Sequence, residues 1–134
     1  MQLADTNVIS ELMRRQPNAG ALAWRDMTDA MHGGVIISAI SVDEIFYGLL
    51  RKPNAALLAW FDGFIGRNQV LDATAAIARR AGEMRGMLAA RGQVRSQADM
   101  LIAATAQVHA LTLVTRNVRD FDGCGIAVLN PFTP

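Results

Sequence analysis

The chain predicts an α/β fold built on a mainly parallel sheet. Short apolar runs rich in β-branched residues, such as VIISAI (35–40) and LTLVT (111–115), alternate with longer stretches of helical spacing. These runs are continuously apolar, the pattern of strands covered on both faces. The composition agrees. Hydrophobic residues make up 51% of the chain and aromatics only 6%, so Ala, Leu, Ile and Val must fill layers of helix packed on sheet.

The elements follow in order. QLADT (2–6) reads as a first strand and NVISELMRR (7–15) as a helix broken at Pro17-Asn18. Helical spacing resumes in AGALAWRDMTDAM (19–31), with Met27 placed on one side with Leu22 or Ala23, and stops at Gly33-Gly34. After the VIISAI strand, SVDEIFYGLL opens with Ser41 as an N-cap and closes at Arg51-Lys52, cations suited to a helix C-terminus. Pro53 starts the next helix, ALLAWFDGFI, which ends near Gly66. QVLD (69–72) is a brief strand. A long Ala-rich helix (73–92) stops at Gly92, and Ser96 caps QADMLIAATAQVHA. LTLVT is a buried strand, NVRDFDGCG a loop and IAVLN a last strand.

The 134 residues suit a single domain, spanning 1–134 and burying roughly 68% of its unfolded surface. No apolar run approaches the ~20 residues of a membrane span, and MQLADTN carries no leader pattern. One cysteine, Cys124, excludes an internal disulfide, so a cytoplasmic setting is expected. Net charge is only +1, yet twelve of the thirteen cations are Arg, the better bidentate phosphate ligand. Arg79, Arg80, Arg85, Arg91 and Arg95 face only Glu83. They form either a solvated helix face or a rim that attracts nucleic-acid phosphates.

Four carboxylates stand where strands hand over to helices or loops: Asp5, Glu44, Asp99 and Asp120. The first three each have a plain structural reading. Asp5 suits an N-cap, and Ser41-x-x-Glu44 and Ser96-x-x-Asp99 fit or approach capping boxes. Asp122 competes with Asp120 for the fourth place, although Asp122-Gly123 also reads as a turn. Taken together, caps beside the C-terminal edges of parallel strands point into one crevice. Like charges ~4 Å apart repel by about 4 kcal/mol at an effective dielectric near 20. Crowded carboxylates therefore call for a hard cation, Mg²⁺ or Mn²⁺. His32, His109 and Cys124 are too scattered for a zinc site.

LADTNVISEL, SAISVDEIFYGL, ADMLIAATA and LVTRNVRDFDGCGIAVLNPF, in that order, closely resemble a PIN-domain ribonuclease, more narrowly a VapC-type toxin of bacterial toxin–antitoxin pairs, including the FitB-like branch. The resemblance covers nearly the whole chain. It implies a PIN-like three-layer α/β fold with a central, mainly parallel five-stranded sheet flanked by helices. It makes Asp5, Glu44, Asp99 and Asp120 the catalytic, metal-binding set, with Thr6, Asn7, Thr115 and Asn117 as supporting polar residues. The implied activity is endoribonuclease cleavage of tRNA or other structured RNA that inhibits translation and growth. Arg85, Arg91, Arg95 and Arg116 are candidate phosphate contacts. The implied partners are a small VapB/FitA-type antitoxin, operator DNA bound only through that antitoxin, and a second copy in a homodimer or larger assembly. One departure stands out: GQVRSQAD precedes Asp99 where family members often carry proline or an apolar residue, so Arg95 and Ser96 are expected to alter substrate access.

Two other classes compete. A catalytically silent PIN-like interaction module would use the acids only as caps. A receiver-like phosphoacceptor needs a lysine at the site, and the only lysine, Lys52, sits at a helix end.

Overall fold

A computed structural model describes residues 1–134. Five strands, β1 (Gln2–Ala4), β2 (Ile36–Ser38), β3 (Gln69–Leu71), β4 (Thr112–Val114) and β5 (Val128–Leu129), form one sheet in the order β3-β2-β1-β4-β5. Every pairing is parallel. Six helices connect them: α1 (Thr6–Leu12), α2 (Ala19–His32), α3 (Ala39–Arg51), α4 (Ala55–Arg67), α5 (Ala75–Ala90) and α6 (Gln97–Val108). A 3₁₀ turn at Val118–Phe121 precedes β5.

Strand periodicity divides the core. Ala4, Ile37 and Val114 pack with Val8, Ile9, Trp24, Ile45 and Phe61, beneath α1 to α4. Their neighbours Leu3, Ile36 and Leu113 pack with Ile77, Met84, Leu88, Met100 and Ile102, beneath α5 and α6. Each strand therefore buries both faces, as its unbroken apolar sequence requires. Four aromatic rings (Phe46, Trp60, Phe61, Phe64) fill the first layer, with centroids 5.3 to 6.1 Å apart. Alanines 81, 103, 104 and 106 supply much of the second, where small side chains let helices approach closely.

The chain runs from β1 outward to β2 and β3 with helices on one face. It then crosses back through α5 and α6 on the other face to β4. Right-handed crossovers demand that change of face when the direction reverses. The reversal leaves a crevice at the C-terminal ends of β1 and β4, the topological switch point.

Several expected boundaries move. Helix α1 stops at Leu12 and not Arg15. Helix α2 buries Ala21, Trp24 and Thr28, leaving Met27 53% exposed on the outer side. Pro53 precedes the α4 cap, Asn54, whose side chain accepts from Leu57 N–H at 3.1 Å. Helix α3 begins at Ala39, capped by Ser38 Oγ accepting from Ile40 N–H at 3.0 Å. Ser41 is thus inside the helix and fully buried, so it does not cap, and the Ser41–Glu44 capping box does not form. Gly33 does end α2, at φ +73°, a conformation glycine adopts without strain. Ser96 caps α6 as expected, accepting from Asp99 N–H at 3.0 Å. Trp24 is core, 4% exposed, donating to Gln2 Oε1 at 2.7 Å; Trp60 is half-buried and stacks on Phe64. No helix is long and apolar enough to cross a membrane.

Candidate active site

Strand register builds the site. Ala4 pairs with Val114, which sets the next residues, Asp5 and Thr115, side by side. The Asp5 N–H donates to Val114 O at 2.8 Å, extending the ladder one residue past β1. The Asp5 carboxylate then serves two ends. Its Oδ1 caps α1 by accepting from Thr6 N–H at 2.8 Å. Its Oδ2 accepts from Thr115 Oγ1 at 2.8 Å and from Asn7 Nδ2 at 3.2 Å. Asn7 Nδ2 also reaches Thr115 Oγ1 (3.1 Å), Asn7 Oδ1 accepts from Arg116 N–H (3.1 Å), and Asn117 N–H donates to Thr115 Oγ1 (3.0 Å). Asn7, Thr115 and Asn117, predicted as supporting polar residues, thus form one network around Asp5.

Thr6 carries that network to the second acid. Its hydroxyl donates to Glu44 Oε1 at 2.6 Å and lies 2.9 Å from Ser41 Oγ. Asp99 approaches from the first turn of α6. Asp5, Glu44 and Asp99 line one cleft of ≈ 560 Å³ together with Thr6, Asn7, Ser10, Glu11, Arg14 and Asn117. Asp120 lies on the exposed 3₁₀ turn, outside that lining, but close enough to Asp99 for its charge to act there. Asp122 follows at the C-terminal end of that turn, also outside the lining, and its charge acts on Cys124.

None of the predicted arginines is among the residues that line the cleft. Arg85 borders a separate pocket between α5 and α6, and Arg91 is exposed at the end of α5. Arg95 donates to the carbonyls of Arg119 (3.0 Å) and Asp122 (3.1 Å), clamping the loop that carries Asp120. The GQVRSQAD departure therefore places a loop clamp (Arg95) and a helix cap (Ser96) before Asp99. Arg116 lies over the Phe132 ring at 4.9 Å. Sequence reasoning missed Glu11 and Arg14. Their signal was available in the polar series Asn7, Ser10, Glu11, Arg14, spaced i, i+3, i+4, i+7 along one side of a helix.

Burial dominates the electrostatics. Asp5 is 4% exposed, and desolvation raises its pKa from 3.8 to about 6. The bonds from Thr115 and Thr6 pull it down, and the charges of Asp99 and Glu44 push it up. Asp99 is raised too, by burial first and then by Asp120 and Glu44, against the Ser96 hydrogen bond and Arg95. Glu11 goes the other way. The Asn18 N–H, and then Arg14, hold its carboxyl below the usual range despite burial.

The donors at this cleft are oxygens, suited to a hard divalent cation that keeps several waters. No three His, Cys, Asp or Glu side chains stand close enough to cage an ion by themselves, so the residues fit a partly hydrated ion better than a fully ligated one. His109 caps the exposed end of α6, and Cys124 is buried against Met100 Sδ at 3.8 Å; neither joins the cleft.

The family model of the PIN domain matches residues 3–123. The toxin FitB of Neisseria gonorrhoeae is 34% identical, with 98% of this chain and 99% of that protein covered. The tRNA(fMet)-specific endonuclease VapC of Shigella flexneri is 31% identical over 92% of this chain and 91% of its own length. Among solved structures, FitAB bound to an IR36 DNA fragment superposes with a TM-score of 0.83 at 33% identity, covering 100% of this chain and 97% of that one.

Proposed function

This chain belongs to the PIN-domain family, and on that premise we propose that its cleft is the active site of a divalent-metal-dependent endoribonuclease, the toxin of a toxin–antitoxin pair. One observation carries the reading: Asp5 at the cap of α1, Glu44 in the second turn of α3 and Asp99 in the first turn of α6 line a single cleft at the switch point of the sheet. Mg²⁺ or Mn²⁺, held by these three carboxylates directly or through water with Asp120 beside Asp99, would lower the pKa of a bound water and neutralise charge on the phosphate oxygens.

The chain's own residues do the positioning. Thr115, Asn7 and the Thr6 N–H fix the Asp5 carboxylate from both oxygens, so it cannot swing away from the cleft. Thr6 ties Glu44 to the same network. One of the three carboxylates would orient or deprotonate the attacking water. Relatives named as a tRNA-specific endonuclease and a toxin support structured RNA as the substrate class. The DNA-bound FitAB structure supports an antitoxin partner through which operator DNA is held. The family resemblance also suggests a homodimer within a larger toxin–antitoxin assembly.

The test is induced expression of the wild-type and Asp99→Asn proteins, with mapping of RNA 5′ ends after induction. Discrete new ends and growth arrest with the wild type, absent with the variant and in purified protein treated with EDTA, are expected. Equal cleavage by both proteins would remove Asp99 from the mechanism. No cleavage by either would favour the silent interaction module.

A further inference from the structure

The cleft has four carboxylates and a single cation. Its lining residues are Asp5, Glu11, Glu44 and Asp99, then Arg14, and otherwise neutral polar side chains. A phosphodiester entering such a site is repelled unless positive charge meets it. Of the arginines singled out from sequence, Arg85 and Arg91 stand away from the lining, while Arg95 and Arg116 are close enough for their charges to reach Asp99 and Glu11 but are committed to loop carbonyls and to the Phe132 ring. We infer that Arg14 receives the substrate phosphate at the mouth of the cleft, and that Glu11, bound by Asn18 where the C-terminal tail docks, aims it there. This inference rests on the nuclease reading and adds to it a substrate contact and a positioning residue.

Arg14 is built for presentation. Its Nη1 lies 3.3 and 3.4 Å from the two Glu11 oxygens, while Nε and Nη2 make no hydrogen bond within the protein. The side chain is 67% exposed, and Arg14 lines both the acidic cleft and an adjoining apolar groove shared with Met13, Ile45, Leu49 and Leu57. One edge of the planar fork is thus anchored and the other left open, the geometry for bidentate capture of a phosphate.

Glu11 is the opposite kind of residue. It is 6% exposed, and its Oε2 accepts from Asn18 N–H at 2.8 Å. An exposed i,i+3 ion pair adds little stability, so burying one partner of such a pair does more to orient Arg14 than to stabilise the fold. The orientation extends to the end of the chain. Asn18 Oδ1 accepts from Gly20, Ala21 and Thr133 N–H at 2.9, 3.2 and 3.0 Å, and its Nδ2 donates to Thr133 O at 2.9 Å. Gly20 lies so near the tail that a Cβ there would stand 2.3 Å from Pro131 O. Tail, Asn18, Glu11 and Arg14 form one continuous chain of contacts leading to the cleft.

The experiment uses purified full-length protein with Mn²⁺ and bulk tRNA, comparing wild type with Arg14→Ala, Arg14→Lys and Glu11→Gln. Binding of the same RNA is measured by fluorescence anisotropy in an Asp99→Asn background. Arg14→Ala is expected to raise KM about tenfold while kcat changes about twofold or less, and to flatten the log affinity against log salt slope by about 0.7. Arg14→Lys should restore the slope but only part of the affinity, since a point charge replaces a fork. Glu11→Gln should raise KM in the same direction and make the Arg14→Ala effect smaller, the non-additivity of a positioning residue. Unchanged KM and salt slope in Arg14→Ala would overturn the inference, as would a fall in kcat alone. Failure of the nuclease reading looks different: wild type leaves the RNA intact. Arg14→Ala must then still weaken RNA binding in the Asp99→Asn background, and equal binding would overturn the inference there as well.

Discussion

Asp5→Asn should stabilise the protein while abolishing its activity. Raising the Asp5 pKa from 3.8 to about 6 means that keeping this acid ionised above pH 6 costs the fold about 3 kcal/mol, at 1.36 kcal/mol per unit. An amide at the same position carries no charge to desolvate. It loses something in return. Asn caps a helix as well as Asp does, so the Thr6 N–H bond survives. The amide nitrogen, however, would face the Thr115 hydroxyl and the Asn7 amide, two donors now served by Oδ2, a loss of about 1 to 2 kcal/mol. The net gain is about 1 to 2 kcal/mol near neutral pH, roughly 5 °C in Tm for a domain of this size.

The pH dependence identifies the cause. Between 3.8 and about 6 the folded state holds the Asp5 proton and the unfolded state does not. Stability contributed at this site is therefore present at low pH and lost as pH rises through about 6. Urea unfolding of both proteins in EDTA, from about pH 4 to about pH 8, should show a gap that opens across that window and then stays level. A residual slope of the same sign persists in the variant because Asp99 is raised too. If Asp5→Asn were instead less stable than wild type at neutral pH, with a gap independent of pH, the carboxylate would be a net stabilising cap and the strained-acid argument would fail.

Other outcomes follow from the same network. Thr115→Val keeps the shape but removes the donor to Asp5 Oδ2; the acidic limb of the kcat/KM profile should move up by about one unit, and an unmoved limb would show that Asp5 ionisation does not control it. Asp120→Asn should weaken cleavage more than Asp122→Asn, because the Asp120 charge acts on Asp99; the reverse order of RNA cleavage rates would exchange their roles. Gly20→Ala forces a Cβ against Pro131 O; it should cost about 1 to 3 kcal/mol in urea unfolding, and a neutral result would mean that the tail does not dock.

The sheet and its helices were legible because their signals are local. Continuous apolar runs gave strands buried on both faces, and Gly33 and Ser96 marked helix ends by their own chemistry. The start of α3 misled because SAIS offers serines at 38 and 41, and both precede helical spacing. Only the direct join of β2 to α3 selects Ser38. The acids were legible as a set, while the partnership of Asp5 with Thr115, 110 positions apart, depends on strand order that no local pattern encodes. Arg14 was overlooked for a related reason. It lies just past the end of α1, and its value comes from Glu11 and from a tail more than a hundred residues away.

Capping a helix would not prevent Asp5 from also serving a cation. Asp5 gives one oxygen to the α1 terminus and the other to Thr115 and Asn7, and remains strained because burial outweighs all three bonds. A cation entering the cleft would relieve that strain, so the free energy of ionising Asp5 becomes part of the binding free energy and protons compete with the ion. Below about pH 6 the Mg²⁺ or Mn²⁺ concentration needed to raise Tm halfway to its plateau should increase, by up to about tenfold per unit for one displaced proton. Asp5→Asn should weaken cation binding and flatten that dependence together, leaving the smaller slope that Asp99 supplies. A wild-type midpoint equal at about pH 5 and about pH 7 would mean that the cation does not bind through the buried acid. The convergence of Asp5, Glu44 and Asp99 on one cleft would then have no cation to explain it.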